Sequence, residues 1–265
     1  MLCRFSLAVL LFVLVSPFAR AACDPIQIAY PDLHRPPYWL GNGAAVANPP
    51  GAGVELVQAF GASVGCPVAL KRLPVLRMRP ALAAGEVDFT PVDAGADKLP
   101  GIVLPHDRNG HLDVDRSSTI MIVVFVRTED GLDRNLDSVA YFRGKLLGVT
   151  LGSPYEGRLR QAGYNIDSGA TDVARNFEKL RLHRIDGFAV SLISPSDMDS
   201  YLVRYGGQFT RLEQPLFADH VWLGASQAYY NQHRDQVETM WTWLGGSGRK
   251  EFARLLKKYA ELPSR

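Results

Sequence analysis

VELVQAFGASVGCPVALKRLPVLRMRPALAAGEVDFTPV, residues 54–92, carries the alternation that decides the fold. Val54, Val57, Phe60 and Val64 recur at helical spacing, so residues 54–64 predict an amphipathic helix. Gly65 follows as a helix stop. Val68–Leu73 then reads as a strand. Residues 76–84 predict a short helix, in which Pro80 is tolerable only near the first turns. Gly85 ends it, and residues 87–92 return to strand. With the apolar run at 26–30 placed before them, these segments read β-α-β-α-β. That order points to parallel strands joined by right-handed crossovers.

The theme repeats downstream. Residues 146–151 predict a strand that runs into Gly152-Ser153-Pro154 and a helix over 155–162. Ser153 is the expected cap of that helix, and Pro154 suits its first turn. A helix over 172–183 leads to a strand over 185–190, and Ser194-Pro195 opens a further helix to about residue 204. Two long extended runs, Ser118–Arg127 and residues 217–225, flank this second unit, as a two-stranded hinge requires. The tail reads as amphipathic helices over 233–244 and 248–260. The Gly245-Gly246-Ser247-Gly248 run is expected to be a turn between them. No solenoid repeat and no low-complexity tract is present.

The first 22 residues have the pattern of a secretory signal peptide: Arg4, an apolar core, and Ala19-Arg20-Ala21 as a cleavage signature. The apolar core is short for a membrane span. Arg20 stands where a lipid-attachment motif before Cys23 would want Leu. Cleavage removes two arginines and no acidic residue, so the formal charge of +2 falls to neutral. A neutral chain gives no electrostatic reason to expect nucleic acid as a partner. Cleavage also leaves two of the three cysteines, Cys23 and Cys66. An even pair in an oxidising compartment reads as a disulfide, which two adjacent parallel strand starts would allow.

No specific catalytic constellation stands out: there is no G-x-S-x-G, Walker loop, H-E-x-x-H or G-x-G-x-x-G after a strand. His106 and His111 lie in an acidic loop that could hold a metal but reads more simply as solvated. The informative residues are those at the expected carboxyl ends of strands, where open α/β sheets bind ligands. They are Asp32, His34, Arg35, Tyr38 and Trp39 after the first strand, and Arg77 and Arg79 at the second helix. Asp93 follows the third strand; Ser153, Tyr155 and Ser191 come from the second unit. Tyr38 and Trp39 could equally cover a core edge. Arg77 and Arg79, two apart on a helix, cannot share a face. Arg77, nearer the helix start, is expected to face the cleft, and Arg79 the surface.

The ordered segments resemble the type 2 periplasmic solute-binding proteins, family 3, which serve ABC importers. IQIAYPDLHRPPYW looks like the family's first strand and Pro-Pro-aromatic turn, and GAGVELVQAFGASVGCPV like the following helix and strand. RPALAAGEVDF is similar to the helix-Gly-x-x-Asp approach to the third strand. YFRGKLLGVTLGSPYEGRL and LHRIDGFAVS are similar to the second-lobe segments. The resemblance spans nearly all of the chain after residue 22. It implies an α/β fold of two lobes, each a mixed sheet flanked by helices, joined by two hinge strands and closing on a small ligand. The lobes would be 23–118 with 217–265, and an inserted 119–216. Amino-acid-binding members carry an Arg shortly after the third strand; here DAGADKLPG has none. Where members place an acidic residue after the later strand, this chain has Ser191.

The expected ligand set is therefore Asp32, Tyr38, Trp39, Arg77, Asp93, Ser118, Ser153, Tyr155 and Ser191, for a small polar or anionic metabolite, amino-acid-like or an organic acid. The implied protein is a periplasmic monomer with an ABC permease as partner, no cofactor, no metal and no catalysis of its own. Two other roles remain on the same scaffold. One is a ligand sensor. The other is a dehydratase-like enzyme, since some relatives are periplasmic dehydratases, and it would draw on Asp32, His34 and Asp93.

Overall fold

A computed structural model describes residues 23–195 and 197–261. The signal-peptide reading of residues 1–22 lies outside the described residues. In chain order the elements are β1 (Ile26–Pro31), α1 (Ala52–Ala62), β2 (Val68–Leu73), α2 (Val75–Ala83), β3 (Phe89–Asp93), β4 (Ile102–Val103), β5 (Ser118–Arg127), α3 (Ser138–Tyr141) and β6 (Leu146–Thr150). They continue with α4 (Glu156–Gln161), β7 (Asn165–Ala170), α5 (Val173–Arg181), β8 (Gly187–Leu192), α6 (Asp199–Arg204), β9 (Phe209–Arg211), β10 (Phe217–Ser226), α7 (Gln227–Trp243) and α8 (Arg249–Ala260).

The strands form one curled sheet in the order β2-β1-β3-β10-β5-β8-β6-β7, with β4 on β10 and β9 on β5. The expected parallel pairs are present: β1 with β2 in register from Ile26 opposite Val68, and β1 with β3. β6 lies parallel to both β7 and β8. Between the two parallel groups run β5 and β10, antiparallel to each other from Phe217 opposite Ile122 to Val221 opposite Ser118. Beyond Val221, β10 pairs with β3 in the first half; from Met121 onward, β5 pairs with β8 in the second. These two strands carry the chain between the halves, and their length suits the task. A ten-residue strand spans about 33 Å, enough to pair in both groups in succession.

Each half buries its own core. In the first, Ile26, Ile28, Phe60, Phe89 and Trp241 pack together, and the Trp241 indole N–H donates to the Leu223 carbonyl at 2.7 Å. In the second, Phe177 gathers Phe125, Phe188 and Phe209 around it at ring separations of 4.9–5.5 Å. Aromatic burial on this scale makes each half a hydrophobic unit of its own. β8 is buried along all six residues, as expected for a strand covered on both faces. A side chain at its Gly187 would strike Phe142 and Val124 at 2.6 Å.

Cys23 and Cys66 form the disulfide, and it ties the approach to β1 to the approach to β2. Bridging residues 43 apart restricts the unfolded chain by an amount worth about 4 kcal/mol on a chain-entropy account.

Three local expectations need correction. The Gly245–Gly248 run is no turn: a π-helical segment over Leu244–Gly248 continues α7 into α8. The glycines permit close approach there, since a Cβ on Gly245 would lie 2.5 Å from the Asp115 carbonyl oxygen. Ser153 does not cap α4, which begins only at Glu156. Its hydroxyl donates instead to the Thr150 carbonyl at 2.6 Å. The helix expected from Ser194 starts at Asp199, because the Ile193 and Ser194 N–H groups turn onto the Asp197 carboxylate. Among the described residues, no helix is long and apolar enough to cross a membrane.

Candidate functional site

The turn after β1 meets the carboxyl end of β8 at the seam between the halves, and the turn after β6 meets α2, where a Cβ on Gly152 would lie 3.4 Å from Leu76. Contact across the seam comes first from the turn after β1. Arg35 reaches from it to Ser191, in β8. Its Nη1 donates to the Ser191 hydroxyl at 3.2 Å, and its Nη2 to the Ser191 carbonyl. Its Nε is enclosed and has no acceptor among the described residues. Arg35 forms no ion pair with a described residue. An enclosed donor without an acceptor costs about 1–3 kcal/mol, and more when it belongs to a charged group.

Tyr38, from the same turn, makes a second bridge. Its hydroxyl donates to the Asp197 carboxylate and accepts from the Ile193 N–H at 3.2 Å. Asp197 is 3% exposed and also accepts from the N–H groups of Ile193 at 2.7 Å and Ser194 at 2.9 Å. Burial, and then the Asp197 charge, push the Tyr38 phenol far above the usual tyrosine range, so it stays a hydrogen-bond donor. Tyr155 is buried beside Ser191, with its hydroxyl 3.3 Å from the Ala189 carbonyl. Burial raises its pKa, and the nearby Arg35 charge opposes the rise. Burial likewise pushes Tyr201 to about 12, again against Arg35. One guanidinium thus stands among three tyrosines, all neutral at physiological pH, with a serine as its hydrogen-bond acceptor.

The other candidates divide. Asp93 pairs with Arg79 and accepts from the Gly95 N–H at 2.7 Å. This corrects the choice between the two arginines: Arg79 faces Asp93, while the Arg77 side chain is exposed and makes no ion pair among the described residues. The helix starts directly after the extended Pro74, so its first-turn residues 76 and 77 turn outward and 78 and 79 inward. Asp32 accepts from the Gly43 N–H at 2.9 Å and lies 3.4 Å from the buried Arg72. His34 accepts from the Gly41 N–H at 3.1 Å, and burial followed by the Arg72 charge lowers its pKa, which favours the neutral ring. Trp39 packs over α1, where a Cβ on Gly53 would lie 2.5 Å from its ring. Ser118 opens β5 and lines a groove rather than the seam around Arg35. Ser153 is drawn back onto Thr150, though close enough to Tyr155 to favour its ionised form. α4, at six residues, is too short to offer an anion site at its start.

The structure thus brings together Tyr38, Tyr155 and Ser191 from the expected set and adds Arg35, Asp197 and Tyr201. Asp32 and Trp39 serve the first half alone, and Asp93 is engaged by Arg79. Among the described residues, no three His, Cys, Asp or Glu side chains gather as a metal site. His106 pairs with Asp97 at 3.3 Å, and His111 lies 3.9 Å from Asp107.

A groove adjoins the seam. It has a volume of about 1690 Å³ and runs along the flank of α8, past Phe252 and Leu256, to Tyr201 and Val203. It borders the bridge at Tyr201 and Asp197 and is lined from both halves, by His34, Pro37 and Ser118 on one side and Asp172, Asp197 and Tyr201 on the other. The seam around Arg35 lies at strand carboxyl ends and holds a guanidinium with an unanswered N–H, and that makes it a candidate for recognising an anionic solute.

No protein-family model matches the chain, and no curated protein matches it in sequence. Solved structures match its fold. The GluR0 ligand-binding core from Nostoc punctiforme in complex with L-glutamate aligns over 89% of this chain and 99% of its own, at 15% identity and a TM-score of 0.65. AbpA from Streptococcus pneumoniae, an amino acid ABC transporter substrate-binding protein bound to L-arginine, aligns over 90% and 94% at 15% identity and 0.63. The Bordetella pertussis BvgS VFT2 domain aligns over 88% and 92% at 13% identity and 0.63. The chain therefore has the two-lobe fold of periplasmic solute-binding proteins.

Proposed function

We propose that this protein is an exported solute-binding protein of the periplasm, acting as a monomer, which captures a small polar or anionic metabolite by lobe closure for an ABC importer. The lobes would be residues 23–118 with 217–265, and residues 119–216, moving about β5 and β10. The observation that carries this reading is the Arg35–Ser191 bridge, a polar side-chain contact at strand carboxyl ends between halves joined by two strands. Such a contact can open and re-form as a hinge moves, and hinge closure around ligands is an established repertoire. Similar folds complexed with L-glutamate and L-arginine support a small solute as the occupant.

An acid-base role on the same scaffold has less support. Asp32, His34 and Asp93 are held in three separate hydrogen-bond sets, and proton transfer needs its groups placed together.

The test is thermal unfolding of the chain from Cys23 onward against amino acids, polyamines, organic acids and aromatic acids. Small-angle scattering then follows any hit. A solute present at 100 times its Kd should add about 2.7 kcal/mol and compact the particle. Unfolding that stays flat across the whole panel would overturn the reading.

A further inference from the structure

We propose that Arg35 anchors the solute's anionic group, and that the solute is an organic carboxylate carrying no ammonium group. This rests on the solute-binding reading above. An α-amino acid presents both charges, so its site needs a cation for the carboxylate and an anion or equivalent acceptors for the ammonium. The acidic side chains that follow β1, end β3 and anchor the Tyr38 bridge already have partners among the described residues. Asp32 serves Arg72 and the Gly43 N–H, and Asp93 serves Arg79 and the Gly95 N–H. Asp197 holds the Tyr38 hydroxyl and two backbone N–H groups, and is 3% exposed. Each of the three already answers a cation or several N–H and O–H donors, so none offers an ammonium an unshared charge.

Arg35 is the opposite case. Its acceptors both come from Ser191 and are neutral, and its enclosed Nε has none. A guanidinium presents its N–H groups as a planar fork that matches a carboxylate with two parallel hydrogen bonds. A carboxylate seated at the fork would satisfy Nε and balance the charge, and Ser191 would keep Nη1. Around it stand hydroxyl groups, those of Ser191 and Tyr155, which suit a neutral oxygen on the rest of the solute. Tyr38, its ring 5.3 Å from the Arg35 guanidinium carbon, helps to hold the fork in place.

The experiment is titration calorimetry on three matched pairs: pyruvate with alanine, 2-oxoglutarate with glutamate, and phenylpyruvate with phenylalanine. Any solute found in the thermal panel is added. The expected result is that an oxo acid binds at least tenfold more tightly than its amino-acid twin. Arg35→Ala should then weaken that binding at least tenfold. Arg35→Lys, which keeps the charge without the fork, should fall between the two and covers the case in which the alanine variant fails to fold. An amino acid that binds as tightly as its oxo acid, a solute that is neutral or cationic, or full affinity in folded Arg35→Ala would each overturn the anchor and leave solute binding standing. No heat and no stabilisation with any compound would overturn both.

Discussion

The two halves of this protein meet through two contacts of different chemistry. Along β5 and β10 the contact is backbone: strands that pair with each other and then each with its own half, with Ile122 fully buried at the crossing. Across the seam two side chains from one turn reach over by hydrogen bonds, Arg35 to Ser191 and Tyr38 to Asp197. A ladder of backbone hydrogen bonds through a dry core breaks only when the fold does. A guanidinium with an unanswered Nε–H is a contact that closes imperfectly by itself. The first holds the halves in one molecule; on the proposed reading, the second leaves their separation to what sits at the seam.

The comparison breaks most forcefully at the crossing. Ile122→Ala removes side-chain packing where β5 lies between Phe217 and Ser191, and should cost about 2–5 kcal/mol. Urea denaturation should show one transition shifted as a whole. Two separated transitions would show that the halves are coupled less tightly than the shared sheet implies.

At the seam, Tyr38→Phe deletes a hydroxyl shared between Asp197 and the Ile193 N–H, for an expected loss of about 1–3 kcal/mol. Unlike the change at the crossing, this one should also raise the radius of gyration in solution. An unchanged radius would mean that the Tyr38 bridge does not hold the halves together.

The smallest effect is expected far from both contacts, and it serves as the control. Asp88 accepts from the Gln27 N–H at 2.7 Å at the amino end of the sheet. Burial raises its pKa against the pull of that N–H and of His233. The folded state therefore binds this proton more tightly than the unfolded chain does. Its contribution is fully present below the ordinary aspartate range and is lost as pH climbs through the raised value. Asp88→Asn should then be slightly more stable at pH 7, with the gain fading toward pH 3, and should leave the radius of gyration unchanged.

Much of the frame was legible in the sequence because period carries it. β2 and β5 have the bounds that their apolar runs imply, and the helical spacing of Val54, Val57 and Phe60 marks α1. β7 was not legible: NIDSGA has one large apolar residue and pairs only because β6 stands beside it. Spacing also showed that Arg77 and Arg79 could not share a face, but not which faces inward. That follows from where the chain leaves Pro74. The seam was half visible. Ser191 stood out as a substitution in a resembling motif, whereas Asp197 lies past a bend with no pattern of its own. Arg35 sits inside HRPPYW and was visible among the residues after the first strand, but nothing in its spacing set it apart from its neighbours.

The measurement that bears most directly on this account is a crystal structure of the chain from Cys23 onward with the solute that stabilises it most. The account predicts that the solute lies in the seam, its carboxylate within hydrogen-bond distance of the Arg35 guanidinium and its other end near Ser191 and Tyr155. A solute seated instead in the groove along α8, with the Arg35–Ser191 bridge untouched, would contradict it.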